Sequence, residues 1–506
     1  MDDKDYKLEP TQTTTSKKEG VILDDAVARD SNLALVNHTI EQIGFGKYQW
    51  KLFCTCGFGF LLDQMLPVAA GLVLPQVQKQ WNIKYPPMII AALYAGSLVG
   101  AVVCGFGVDI IGRRLVWQTS LMFVTIFTLV CAASPNFAAL CIFIGLQGVG
   151  AGGNFAIDLT VFVESLPKAK DYMLTALPLW WGVGSALGGL LAWPLIANFS
   201  CPQDADYTTC KNSDNMGWRY QYILVGGIAF ILASLRIFCM KMEESPKWLV
   251  TQGKFDEAVA ALSVMARENK TDLNITASDF HPIAHLEDGA TKREQLRSYV
   301  VGMKGLFATK IQALSTSGVM ILWACIGVAY PVYTLYLPVY LQNRGADLGS
   351  GSTFQTYRDY SISSTVGIFG PVLATFLVNV PLLGGRRSMA LTALCAAAFC
   401  GGFTTVRTEG SNIAFSSMIS FWQNAFYAIL YAYTPEVMPT AYRGTGCGLA
   451  LAAGRIASLS APFIATFGDL STSVPIWVLV GLYGVIAAIA SVLPFEPKNF
   501  TEEERY

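Results

Sequence analysis

The sequence predicts an all-α integral membrane protein: twelve membrane-spanning helices in two six-helix pseudo-symmetric bundles. Three observations lead there. Of 506 residues, 53% are hydrophobic and only 14% charged, which leaves too few charges for an ordinary soluble surface. Apolar runs that approach or exceed the roughly 20 residues needed to cross a bilayer occur twelve times. A long polar stretch splits them six and six, and short motifs recur at matching places in the two halves.

Taken in order, residues 1–49 form a polar, cytosolic N-terminal tail, Thr/Lys/Asp-rich at first. It turns amphipathic from Leu33 to Trp50, a pattern expected to lie along the membrane surface. Residues 50–240 form the first bundle, with spans at 50–74, 87–108, 115–133, 137–162, 172–198 and 218–240. Segment 241–312 is a cytosolic central loop. Residues 313–495 form the second bundle, with spans at 313–341, 360–381, 388–406, 412–433, 444–467 and 473–494, and 496–506 is a cytosolic C-terminal tail. No cleaved secretory signal precedes the first span, which is expected to insert the chain itself.

Orientation follows from basic residues. With the N-terminus cytosolic, 27 of 35 Lys and Arg face the cytosol, counting Arg236 at the base of the sixth span, seven lie outside and Arg455 falls within a span. Leaving out the long central loop keeps 17 inside against seven outside. The net charge of −1 hides this sidedness and offers no basis for a nucleic-acid partner. Most of the twelve cysteines sit in apolar runs as small packing residues. Cys201 and Cys210 share a polar non-cytosolic loop, where a disulfide is plausible. Asn198 opens a glycosylation sequon at the membrane edge, while those at Asn37, Asn269, Asn274 and Asn499 fall on the cytosolic side.

Internal repetition supports two homologous halves. Gly112-Arg113-Arg114 follows the second span and Gly385-Arg386-Arg387 the eighth; Glu164 to Pro167 closes the fourth and Glu436 to Pro439 the tenth. Such a repeat places a solute cavity between the bundles near the midplane. Gly96/Gly100, Gly145/Gly148/Gly152 and Gly184/Gly188 suit close helix packing.

Within the spans, Asp63 stands out. A carboxylate about 15 Å from either membrane face belongs in a protein interior or wet cavity, where it can carry protons or bind solute. Arg455 lies about 16 Å into the eleventh span and either lines the cavity, where it could grip a carboxylate bidentately, or pairs with a helix end or an acid. Gln147 and Asn154, two turns apart, could both point into the cavity. Further cavity candidates are Trp180, Trp181, Trp323, Tyr330, Tyr333, Gln423, Asn424 and Tyr427, although aromatic residues in spans also serve as packing and interface anchors. Catalytic signatures, metal clusters, phosphate loops and cofactor motifs are absent from the sequence, so energy must come from a gradient.

The stretch Gly105-Phe106-Gly107-Val108-Asp109-Ile110-Ile111-Gly112-Arg113-Arg114 resembles the cytosolic signature of the major facilitator superfamily, with Ile110 where a basic residue usually stands. The resemblance implies the major facilitator fold and a conformational latch built from Gly105, Asp109, Gly112, Arg113 and Arg114. Asp158 and Glu164 join it in the first half; Gly385, Arg386, Arg387, Glu436 and Arg443 form its counterpart in the second. Glu243 to Leu249 and Pro435 to Gly444 resemble sugar-porter motifs, yet the glutamines with which hexose porters bind sugar are missing. Leu62-Asp63, Gly150 to Asn154 with Asp158, Gly327 to Pro331 and Tyr431 to Glu436 resemble fungal transporters related to synaptic vesicle glycoproteins. Those relatives often carry a second acid at the place of Leu66. Bacterial carriers of nicotinate and aromatic acids also place an aspartate in this helix.

The expected function is secondary active transport of a small organic solute, such as an organic anion, by alternating access, through proton symport with Asp63 as coupling site. Export by proton antiport and a transporter-shaped sensor or binding glycoprotein are the alternatives. The expected partners are the solute, protons and the lipid bilayer, with a monomeric protein in the plasma membrane.

Overall fold

The computed structural model describes residues 28–29, 31–111, 113–170, 173–202, 205–239, 243–282, 303–334, 337–341, 352–438, 443–467 and 472–496, and their regular structure is helical throughout. The first six long apolar helices are α1 Lys47–Gln80, α2 Met88–Ile111, α3 Arg113–Ala132, α4 Phe137–Glu164, α5 Leu179–Asn198 and α6 Gly217–Cys239. The second six are α7 Lys310–Thr334, α8 Thr353–Gly367 continuing as Phe369–Asn379, α9 Gly384–Phe403, α10 Glu409–Val437, α11 Arg443–Ser458 continuing as Ala461–Phe467, and α12 Val474–Val492. Among the described residues nine helices are long and apolar enough to cross a membrane; α2, α9 and α10 complete the twelve.

Where helix ends depart from the apolar runs, local chemistry explains it. The run at 172–198 breaks into Met173–Ala176 and α5 because Pro178, which has no N–H, sits at the α5 N-cap. Helix α8 begins at Thr353, seven residues before the predicted 360, because Ser352 and Gln355 form a capping box ahead of a polar first turn that hydropathy overlooks. Thr408 and Ser411 cap α10 in the same way.

Close helix approach depends on absent side chains. Against α2 and α4, a Cβ on Gly96 would lie 1.9 Å from the Gly145 carbonyl oxygen, and one on Gly152 would lie 2.0 Å from that of Ser97. In the same half, Leu61, Leu62, Met65, Leu66 and Ala69 of α1 form an apolar core with Leu121, Val124, Ala151, Val225, Ala229 and Ala233. The halves meet through α5 against α8 and α2 against α11.

The chain divides into two compact units. One, 51–163, 171–241 and 298–506, contains both sets of six helices. At one end of its first half a disulfide joins Cys201 to Cys210. Nearby, Lys79 donates to the Pro202 carbonyl at 2.9 Å and Trp218 to Gln80 at 2.8 Å. Asn198 ends α5 exposed, its amide donating to the Pro194 carbonyl at 2.8 Å.

The other unit joins the described parts of 1–50, 164–170 and 242–297. Its helix at 31–43 buries Val36, Ile40 and Ile43. The apolar face expected on the membrane surface is therefore covered by protein instead. Asn32 exchanges two hydrogen bonds with the His281 backbone, at 2.9 and 2.8 Å, which fixes that helix to the central segment. The Asn269 side chain accepts from the Tyr48 N–H at 3.0 Å and donates to Gln49 at 2.8 Å, so this sequon asparagine is committed to structure.

Replacing Gly152 by Val should drive a side chain into the α2 backbone. Overpacking of this kind costs about 1–3 kcal/mol or more, so purified Gly152→Val should melt several degrees below wild type in a detergent thermal-shift measurement. Gly484→Ala, where an added Cβ meets nothing within 4 Å, should leave the midpoint unchanged.

Candidate functional site

In the middle of the helical unit, α1 and α11 face each other through a charge pair. Nη2 of Arg455 donates to both carboxylate oxygens of Asp63, at 3.0 Å each, linking the first half to the second. Asp63 keeps only 6% of its side-chain exposure and Arg455 19%, so the pair is largely withdrawn from solvent. In low dielectric such a pair offsets desolvation only when its geometry is good, and losing one partner is far worse than losing both.

Aromatic rings surround it. Trp181 of α5 meets Tyr427 and Tyr431 of α10 edge-to-face, with centroids 4.6 and 5.5 Å apart. Trp323 of α7 approaches the same two tyrosines at 5.5 and 5.6 Å, and Tyr330 reaches Tyr427 at 5.3 Å. Asp63, Gln64, Tyr94, Trp181, Trp323, Tyr330, Tyr427, Arg455 and Ser458 line one cavity of about 30 Å³. That is far below the roughly 300–1,000 Å³ of a ligand pocket, so an organic solute gains room only if the helices move.

Small residues position the charged ones. A Cβ on Gly184 would lie 2.1 Å from the Leu61 carbonyl oxygen, which lets α5 close on α1 beside Asp63. On the other side Gly327 lies against Gly454, a Cβ there falling 2.4 Å from its carbonyl oxygen, and Ser458 donates to the Gly327 carbonyl at 2.8 Å. Helices α7 and α11 are thus held together one residue from Arg455.

Of the cavity residues predicted from sequence, Asp63, Arg455, Trp181, Trp323, Tyr330 and Tyr427 come together. Gln423 and Asn424 line a separate small cavity with Tyr330, Thr334, Tyr360 and Ser364. There Gln423 is engaged by Thr334 at 3.0 Å and Tyr483 at 2.5 Å, while Asn424 donates to the Gly367 carbonyl at 3.1 Å. Tyr333 is buried outside both cavities and donates to the Ser416 carbonyl at 2.9 Å. Trp180 packs on Phe53 and Phe58 rather than facing the charge pair.

Gln147 and Asn154 depart from expectation: both point into the first half. Gln147 donates to Thr128 at 3.0 Å. Asn154 belongs to a fully buried cluster in which Asp158 accepts from Trp117 at 2.5 Å, Asn154 at 2.7 Å and Arg236 at 2.8 Å. Arg236 also donates to Asn154 at 2.5 Å and to the Thr55 carbonyl at 2.8 Å, and its guanidinium lies 4.3 Å from the centre of the Trp117 ring. Asp158, expected beside the loop arginines, has its described partners here. Arg236, counted at the base of the sixth span, is 0% exposed in the fold because an acid and an amide on α4 and a backbone carbonyl on α1 converge on it.

Among the proposed latch residues, Gly112 and the surroundings of Gly105, Asp109, Arg113 and Arg443 lie outside what the structure describes. Arg114 is exposed on α3, Glu164 ends α4 and Glu436 lies near the end of α10. In the second half, Glu496 accepts from the N–H groups of Gly385 at 2.6 Å and Arg386 at 3.2 Å. Arg386 donates to the Ser491 carbonyl at 2.7 Å and Arg387 to that of Leu382 at 2.6 Å. Gly384 beside them has φ of 60°, a left-handed turn that glycine accepts without strain.

A larger cavity of about 310 Å³ opens where α1 ends, lined by Gln76, Lys79, Asp206, Tyr207, Thr356 and Tyr357 among others. Tyr357 donates to the Leu72 carbonyl at 2.7 Å between that cavity and the charge pair. Sequence reading missed Gln64 and Tyr94, although Gln64 was visible as a polar neighbour of Asp63 in an apolar run.

Among the described residues, long helices in two halves surround a charge pair on the dividing surface, an arrangement that suits a membrane transporter. Residues 53–462 match the Major Facilitator Superfamily, and the chain belongs to that superfamily. It is 39% identical over 474 residues to "MFS siderochrome iron transporter 1" of Ceriporiopsis subvermispora, covering 92% of this chain and 90% of that one. It is 25% identical over 430 residues to the niacin transporter NiaP of Acinetobacter baylyi, covering 84% and 89%. The solved structure of the proton:xylose symporter XylE aligns with a TM-score of 0.66 at 15% identity, over 90% of this chain and 98% of that one, which shows the shared fold; XylE is from E. coli.

The Asp158–Arg236 cluster makes a separate prediction about stability. Arg236→Met strands a buried carboxylate, a loss of about 3–5 kcal/mol, and should sharply lower the melting midpoint. Adding Asp158→Asn should recover much of that loss. Equal midpoints for the single and double variants would show that the two side chains are not coupled.

Proposed function

We propose that the protein is a proton-coupled symporter of a small organic anion, with Asp63 as the proton site and Arg455 as the anion ligand. The Asp63–Arg455 pair carries this reading, because it joins the two halves at the cavity between them. When Asp63 takes a proton, the Coulomb attraction across that boundary disappears and the halves can separate; when it ionises, the pair forms again. Alternating access needs such a group, one whose charge follows the opening of the cavity. Membership of a transporter superfamily supports the general mechanism. The relatives named for siderochrome iron and for niacin do not share a solute class, so the choice of an anion rests on Arg455 itself.

We further infer a monomer in the plasma membrane with both termini cytosolic, on the strength of the excess of Lys and Arg in the short loops on that side. The glycine–arginine turns after α2 and α8 would act as latches, the second being tied to α12 through the Ser491 carbonyl and to Glu496 just beyond it.

In proteoliposomes offered a panel of labelled organic acids, wild type should accumulate its solute when the outside is acidic. Asp63→Asn should lose at least about tenfold of that accumulation while still exchanging solute across the membrane, because a neutral side chain can no longer bind and release the proton. Undiminished accumulation by Asp63→Asn under the same pH gradient would rule out Asp63 as the coupling site.

A further inference from the structure

We propose that the cavity of about 310 Å³ beyond the end of α1 is a second ligand site, apart from the solute cavity, which takes the ammonium group of a small organic amine. Its volume already falls within the range of ligand pockets, so a small molecule enters without any movement of helices. Tyr357, which donates to the Leu72 carbonyl at 2.7 Å, separates it from the Asp63–Arg455 pair.

The walls are held in place before any ligand arrives. A disulfide between Cys201 and Cys210 closes the loop that carries Ala205, Asp206 and Tyr207. Within that loop one carboxylate oxygen of Asp206, Oδ1, accepts four hydrogen bonds. Two come from Thr208, its N–H at 2.9 Å and its hydroxyl at 2.6 Å, and two from Thr209, its N–H and its hydroxyl both at 3.1 Å. Lys79 ties the loop to α1 by donating to the Pro202 carbonyl at 2.9 Å and the Cys201 carbonyl at 3.5 Å. The remaining wall belongs to the second half: Pro338 beyond α7, and Thr353, Thr356 and Tyr357 in the first turns of α8.

The polar atoms left over in these walls are acceptors. Oδ2 of Asp206 takes none of the four hydrogen bonds that reach its carboxylate. Gln76 and Thr356 are 2% and 5% exposed, yet Gln76 Oε1 and Thr356 Oγ1 have no hydrogen-bond partner among the described residues. A buried polar atom without a partner is costly, and a ligand that donates to it recovers that cost. A carboxylate oxygen and an amide oxygen can only accept, so the ligand must donate. A protonated amine donates and also brings the charge that complements Asp206.

An acid is disfavoured by the same carboxylate. The hydrogen bonds from Thr208, and then those from Thr209, hold exposed Asp206 below the usual carboxylate range. A lowered pKa keeps the group ionised until the pH falls beneath that range, so mild acidification leaves its charge in place. The other titratable groups in the lining are Lys79 of α1, Tyr207 beside Asp206 and Tyr357 of α8. Lysines and phenols ordinarily titrate near pH 10, so the site should not respond to pH between neutral and mildly acid conditions.

Saturation-transfer NMR on the full-length protein in phosphatidylcholine nanodiscs tests this, with butylammonium as the probe. Wild type should bind it with a Kd that stays constant from about pH 7 to about pH 5. Butanol lacks the charge, butyrate has the opposite charge, and tetramethylammonium has the charge but no N–H; each should bind at least about tenfold more weakly. Asp206→Asn keeps an oxygen for Thr208 and Thr209 while removing the charge, and should weaken butylammonium about tenfold or more. Thr356→Val removes a hydroxyl that has no partner, so it should melt no lower than wild type and still bind the probe more weakly. Asp63→Asn should bind butylammonium as wild type does.

Four results would each overturn the site: no binding of butylammonium by wild type, an unchanged Kd in Asp206→Asn or Thr356→Val, equal binding of tetramethylammonium or butyrate, or loss of binding in Asp63→Asn. The last would place the probe in the central cavity instead.

Discussion

A charge buried in a membrane-spanning helix has no water to solvate it, so another part of the chain must match it. Two such pairs among the described residues do so with different outcomes. Asp158 and Arg236 are both 0% exposed and lie within one half, locked by Trp117, Asn154 and the Thr55 carbonyl. Asp63 and Arg455 lie in opposite halves and line a cavity. The first pair has every feature of a fixed strut. The second sits where relative movement of the halves must make or break it.

Both pairs act on α1. Arg236 holds the Thr55 carbonyl, and the Asp158 carboxylate occupies the space that a side chain at Gly59 would need. Thr55, Gly59 and Asp63 are four residues apart, so they share one face of the helix. The strut therefore fixes the rotation of α1 about its axis and with it the aim of Asp63. Gly184 on one side and the Gly327–Gly454 contact on the other bring the backbones close enough for short side chains to meet. Removing the glycines would separate the charged groups without touching either one.

Much of the fold is legible in sequence because the bilayer imposes a length and a polarity on every span. Each apolar run overlaps a long helix among the described residues, and the depth of Asp63 and Arg455 follows from residue counting. Legibility failed where polar residues serve structure. The start of α8 was hidden by a hydroxyl-rich first turn that a capping box makes helical. Polar groups in apolar helices suggest a solute, which points Gln147 and Asn154 at the cavity, whereas Thr128 and Arg236 engage them within the first half. The amphipathic stretch before α1 signalled an apolar surface without specifying what covers it; in the fold that cover is protein.

The sequence by itself determined the spans, their division into halves and the presence of an acid and a base at mid-membrane depth, because these depend on local composition and chain length alone. Only the tertiary structure decided that Asp63 and Arg455 are partners. They are 392 positions apart, and no periodicity or local motif carries information over that distance. Pairing required the halves to close, and closure depends on helix contacts such as α5 with α8 and α2 with α11, which arise from shape and glycine placement across the whole chain.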